Sequence, residues 1–216
     1  GARVANISFG VSGSSTVQAA AQYMRNKGGV VMASAGNTGV LENIVANDMI
    51  LSVAATDSSD VRASWSSYGP YVDVAAPGVS IYSTNRGGGY GYWSGTSFSS
   101  PITAAAAALM FSANAKLAPA DVDAILKSTA LDLGTAGYDQ YYGYGRIDAA
   151  KAVSAAKSYA ATDTQVPTAG ITSPTGGSRV SGLVAVDVAA TDNVGVTRVE
   201  FFVDGVKIAT DDVSPF

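Results

Sequence analysis

The sequence predicts an α/β protein built on a parallel sheet, followed by the start of an all-β module. Three observations carry this. Through the first 160 residues, short runs of Val, Ile and Ala alternate with segments of helical period, the pattern of a sheet buried on both faces. The composition, 47% hydrophobic and 14% charged, is that of a folded chain and too apolar for a disordered one. Near Ala161 the helical period stops. Apolar and polar residues then alternate between Pro, Gly, Asn and Asp, which reads as antiparallel strands. A domain boundary is expected at residues 160–166, dividing 1–160 from 161–216.

The elements follow in order. "RVANISFG" is a short apolar strand ending in glycine. "STVQAAAQYMRNKGG" opens on hydroxyl caps and closes on Lys-Gly-Gly, as a helix should. "VVMASAGN" and "MILSVAATD" are buried strands, and "VDVAAPG" and "SIYSTN" lead into a Gly-rich hairpin, "RGGGYGYW". A long alanine-rich helix is expected from about Thr96 to Ala113, apolar all round and therefore buried. "APADVDAILKSTA" carries proline where a first helical turn accepts it. Asp121 and Asp123 are expected in that turn, complementing the dipole. "GYGRIDAAKAVSAAKSYA" gives a last short strand and helix, with the tyrosines at 138, 141, 142 and 144 packing beneath that strand. In the tail, "FFVDGVKIA" places Asp-Gly between two apolar runs, a hairpin signal.

Several function classes drop out. The net charge is -4 and no Lys/Arg cluster forms a basic face, so nucleic acid is not an expected partner. No apolar run approaches the roughly 18 residues of a membrane span. There is no cysteine, which removes disulfides, thiolate metal sites and thiol nucleophiles. There is also no histidine. The loop "NRGGGYGYW" lacks the Gly-Lys-Ser/Thr of a phosphate cradle. The chain opens Gly-Ala-Arg, with neither an initiating Met nor a signal peptide.

The informative stretch is "YGYWSGTSFSSPITAAAAALM". A serine hydroxyl needs a base to take its proton and donors to hold the oxyanion that forms. A helix N-terminus supplies such donors, with the positive end of the dipole. Gly95 allows a sharp approach. Pro101 cannot bond the carbonyl of Ser97. An isolated Gly-Thr-Ser is more often a helix cap than a nucleophile; its surroundings decide here.

"SGTSFSSP" resembles the nucleophile motif of the subtilisin-like serine proteases, the subtilases. "ANISFG", "ASAGN", "RASWSSYGPYVDVAAPGVSIYST" and "YYGYGRIDAAKAV" extend the resemblance over residues 4–156. It implies a subtilisin-like α/β fold with a parallel sheet, incomplete at its N-terminal side, and a serine endopeptidase needing no cofactor for catalysis. By the same resemblance Ser97 is the nucleophile. Its N–H and the amide of Asn37 bind the oxyanion, with Thr96 behind. Ser8, Phe9 and Gly10 pair with substrate backbone. With Ala33, Ser34, Ala35 and Gly36 they wall the pocket for the residue before the scissile bond.

Ile102 stands where the family often has a non-catalytic histidine. The family's catalytic aspartate and histidine do not occur in the chain and are expected upstream of residue 1. Sedolisins, with a glutamate base, carry aspartate where this chain has Asn37. The resemblance also implies a structural calcium held by Asp73 with the carbonyls of Asp48 and Ile50; a strand-end aspartate accepting backbone hydrogen bonds is the other reading.

The tail resembles a bacterial Ig-like domain, shorter than the roughly 100 residues of a whole sandwich, so further Ig-like or binding modules are expected C-terminal to it. Together these imply a secreted bacterial protease acting on proteins or peptides. The competing reading is a non-catalytic surface or adhesive protein on a degenerate protease fold.

Overall fold

A computed structural model describes residues 1–159, 166–192 and 196–212. The chain divides into two compact units, Gly1–Ala160 and Ala161–Phe216. The expected boundary, at 160–166, falls largely outside the described residues.

The first unit is built on a four-stranded parallel sheet in the order β1 (Val4–Ile7), β2 (Val30–Ser34), β3 (Leu51–Thr56), β4 (Val72–Pro77). Every residue of β2 and β3 is buried. Side chains alternate between the two faces: Val30, Met32, Leu51 and Val53 enter one core cluster, Val31 and Ala33 another. That is why these strands read as unbroken apolar runs. Helix α1 (Ser15–Asn26) covers the second face through Ala21, Val17 and Met24. It starts where Ser14 accepts from Val17 N and ends before Gly28, whose φ is +83°.

The first face carries α2 (Thr96–Ala113), α3 (Pro119–Thr129) and α4 (Ala149–Ser158). Met110, Ala106 and Ala107 of α2 pack with Val122 and Leu126 of α3 and Ala152 and Ala156 of α4. Truncating the fully buried Met110 to Ala should cost about 2–5 kcal/mol. Helix α2 keeps the bounds read from sequence but is not buried all round. Ala105, Ala108 and Leu109 are exposed, Leu109 by 56%, so alanine content alone did not fix which side faces the sheet. The first turn of α3 meets expectation for Asp121 but not for Asp123. Asp121 bonds Ala118 N at 2.7 Å, whereas Asp123 turns to Arg25 of α1 at 2.8 Å.

Strands β5 (Ile81–Thr84) and β6 (Tyr90–Trp93) form the expected hairpin before α2. The tyrosine cluster packs in pairs, Tyr138 on Tyr144 and Tyr141 on Tyr68. It lies at the surface rather than beneath the last strand, with Tyr138, Tyr141 and Tyr144 between 42% and 45% exposed.

The second unit holds two antiparallel pairs: β7 (Thr168–Ser173) with β8 (Asp187–Thr191), and β9 (Val199–Val203) with β10 (Val206–Asp211). The β9–β10 turn is Asp204-Gly205, both at positive φ (+49° and +79°), the conformation a two-residue hairpin favours. Among the described residues of this unit none is buried, so the pairs do not close a sandwich core.

Candidate active site

The end of β1, the end of β2 and the first turn of α2 meet at one place. Gly95 N donates to Gly78 O at 2.8 Å, which docks the strand-to-helix turn on the loop after β4. Gly78 must lack a side chain here, because a Cβ would overlap Ser99 Oγ and Ala55 Cβ. The turn delivers Thr96, fully buried, and Ser97, half-buried, to the helix mouth.

Pro101 explains how Ser97 is held. In an α-helix the residue four ahead donates to a carbonyl, and Pro101 has no N–H to give Ser97. Ser8 Oγ donates to that carbonyl instead, at 2.8 Å. Ser97 Oγ donates back to Ser8 O at 3.3 Å. The clamp continues outward: Asn6 Nδ2 donates to Ser8 Oγ at 3.0 Å and Ser100 Oγ to Asn6 Oδ1 at 2.6 Å. Asn6 and Ser100 had no sequence signal, since the pair exists only once β1 lies along α2.

Asn37 is fixed from the other side. Its Oδ1 accepts from Thr96 N at 2.9 Å and Thr96 Oγ1 at 2.8 Å, and Thr96 Oγ1 also accepts from Gly36 N at 3.3 Å. With the amide oxygen occupied, Nδ2 turns to the helix mouth. The point where a Cβ on Gly95 would stand is 3.6 Å from Asn37 Nδ2, 3.6 Å from Ser97 N and 3.8 Å from Ser97 Cβ. Two N–H donors and the serine thus border one small space, which suits an oxyanion formed at a carbon bonded to Ser97 Oγ.

Ser8, Phe9 and Gly10 run on from β1 with Phe9 74% exposed. Ala33, Ser34 and Ala35 are buried at the end of β2, and Gly36 faces Gly10. The residues expected at a cleft are therefore gathered at one end of the sheet, while Asp73, Asp48 and Ile50 belong elsewhere.

A family model for the subtilases matches residues 1–145, about two thirds of the chain. The chain belongs to the subtilase family. A bacterial Ig domain model matches residues 167–216. Over 157 residues the chain is 40% identical to a thermophilic serine proteinase of Bacillus sp. (strain AK1), covering 71% of this chain and 38% of that protein. Thermitase of Thermoactinomyces vulgaris is also 40% identical, over 159 residues, with 71% and 54% covered. Among solved structures, a protease of Pseudoalteromonas arctica PAMC 21717 superposes with a TM-score of 0.63 at 36% identity, covering 72% of this chain and 51% of that one. The chain spans about half, or less, of the length of these relatives.

In this chain the Asp73 site does not fit a calcium ion, because a lysine already bonds its carboxylate. Asp73 Oδ1 is bonded by Lys127 Nζ at 2.8 Å and Oδ2 accepts from Ser52 N at 2.8 Å. The ammonium already supplies a positive charge against the carboxylate. Among the described residues no group of three His, Cys, Asp or Glu side chains could hold a metal. Asp73, Asp48 and Lys127 line a cavity of about 340 Å³ with Pro70, Tyr138 and Tyr144. Burial works against the charge on Lys127, but Asp73 and then Asp123 hold its pKa above the ordinary lysine value.

Proposed function

We propose that this chain carries the nucleophile half of a serine endopeptidase, in which Ser97 attacks the peptide carbonyl. Asn37 Nδ2 and Ser97 N take the developing oxyanion, and Thr96 holds Asn37 in place. The supporting observation is the double clamp on Asn37 Oδ1, which leaves the amide nitrogen for the space beside Ser97. Ser8, Phe9 and Gly10 receive substrate backbone as an added strand, against walls formed by Ala33, Ser34, Ala35 and Gly36. Residues 1–160 are then the C-terminal part of the catalytic domain and 161–216 the start of an Ig-like module in a secreted protein.

Ser97 Oγ bonds a backbone carbonyl rather than a base, and the chain has no histidine. The imidazole and its orienting aspartate come, on this reading, from residues before Gly1. Strand β1 has a ladder partner on one side only among the described residues, and it ends beside Ser97. A strand added to its open edge would end there too.

The test uses the longer native protein. It should label at Ser97 with a fluorophosphonate and cleave casein. Ser97→Ala should abolish both. Asn37→Ala should keep the label and slow turnover by about 10²–10³-fold, the loss known for removing this donor from subtilisin. A native protein that neither labels nor cleaves would favour the non-catalytic surface protein.

A further inference from the structure

Beside the proposed cleft stands a carboxylate that pairs with no cation among the described residues. Glu42 lies in the irregular segment between β2 and β3 and is half-buried. Its backbone N donates to Tyr68 O at 2.8 Å, and its carbonyl packs so closely on Gly69 that a Cβ there would overlap it. The chain position is thus fixed. Its Oε1 accepts from Thr38 Oγ1 at 3.1 Å and lies 3.3 Å from where a Cβ on Gly36 would be. Gly36 in turn faces Gly10, whose own Cβ position is 3.8 Å from Gly36 Cα. Ser67 Oγ fills the nearest position on that side of Gly36, 2.9 Å from the point where its Cβ would be, and bonds Thr38 Oγ1 at 2.8 Å, so the carboxylate stands with two hydroxyls beside the Gly10–Gly36 backbone next to Asn37.

No salt bridge among the described residues involves Glu42. Arg62 is committed elsewhere: its guanidinium donates to Ala63 O and Ser66 O and lies over the Tyr68 and Tyr141 rings. Tyr71, whose hydroxyl donates to Ala35 O at 2.6 Å in the wall, is pushed up in pKa by burial and then by the Glu42 charge.

We propose that Glu42 makes this a pocket for lysine or arginine at the residue before the scissile bond. The proposal rests on the protease reading above and on Ala33–Gly36 being a pocket wall. A half-buried carboxylate loses hydration when an apolar side chain fills the slot beside it, and recovers that loss when a cation arrives. Lysine and arginine suit the position because a long apolar stem runs past the glycines while the charged head reaches the acid.

The experiment assays the native protein on succinyl-Ala-Ala-Pro-X p-nitroanilides, with X as Lys, Arg, Phe, Leu or Glu. The kcat/KM ratio of Lys or Arg over Phe should be about 10–100, the worth of a charge-assisted bond. Glu42→Gln keeps shape and the Thr38 bond and should lower that ratio about 10–100-fold. Glu42→Arg should raise X = Glu above X = Lys. A ratio within one enzyme cancels any loss of folded protein, which a merely structural role for Glu42 would cause. A native enzyme that favours Phe or Leu, with a ratio unmoved by Glu42→Gln, overturns the pocket proposal and leaves the protease reading standing. Absence of both cleavage and fluorophosphonate labelling overturns both.

Discussion

Ser8 shows how one hydroxyl can hold Ser97, the proposed nucleophile, in place. Pro101 removes the helical donor to Ser97 O, and Ser8 Oγ supplies it. Ser8→Ala should therefore cost about 1 kcal/mol, a typical hydrogen bond, and loosen Ser97 as well. In the native protein this is expected as a fall in the fluorophosphonate labelling rate larger than the drop in melting temperature explains. Ser8→Thr, which keeps the hydroxyl, should restore most of it. A labelling rate equal to wild type in Ser8→Ala would show that Ser97 is held by the helix alone. That Ser97, Asn37 and Thr96 lie together was legible in sequence because each sits in a short local motif. Ser8's second task was not, because the proline that creates it and the hydroxyl that answers it are far apart in the chain. Glu42 was silent for a similar reason: it stands in an irregular loop, with no period or motif to mark the direction of its side chain.

Helix α3 works as a bridge between elements. Its Lys127 bonds Asp73 at the start of β4, and its Asp123 bonds Arg25 at the end of α1. The sequence placed α3, with Pro119 at its first position and Asp121 in its first turn. It could not say that Asp123 leaves the helix axis for α1, or that Lys127 stands where a metal was expected. Both are choices of partner across the fold. Two outcomes follow. Lys127→Met should destabilise the protein by about 3 kcal/mol, because the carboxylate of Asp73 stays partly buried without its cation. Asp73→Asn should leave any calcium-dependent rise in melting temperature the same as in wild type, since Lys127 rather than calcium faces that carboxylate. Melts of wild type and both variants, in millimolar calcium and in chelator, check the pair. A calcium shift present in wild type and lost in Asp73→Asn would restore the metal site.

For the molecule as a whole, stability in the first unit depends on a packed sheet that also buries charge. The parallel sheet was legible because residues buried on both faces leave continuous apolar strands. The tail's hairpin was legible because Asp-Gly accepts positive φ. The buried charges were not, and they give the unit a pH dependence of unusual sign. Asp123 lends one oxygen to Arg25, while its Oδ1 is buried with no hydrogen-bond partner among the described residues. Burial pushes this carboxyl up to about 6, against the opposing pull of Arg25. In the unfolded chain it titrates near the ordinary 3.8. Between these values the folded protein binds a proton that the unfolded chain does not, so stability falls as pH rises from about 4 to about 6. The Asp123 contribution is whole below pH 4 and is lost above the folded value. Most surface carboxylates act oppositely, so the signal is the difference between wild type and Asp123→Asn. That difference, wild type minus variant, should decline by on the order of 1–3 kcal/mol between pH 4 and pH 7. Denaturant unfolding of the two proteins across this range measures it. A difference that stays level would mean that Arg25 keeps Asp123 ionised throughout.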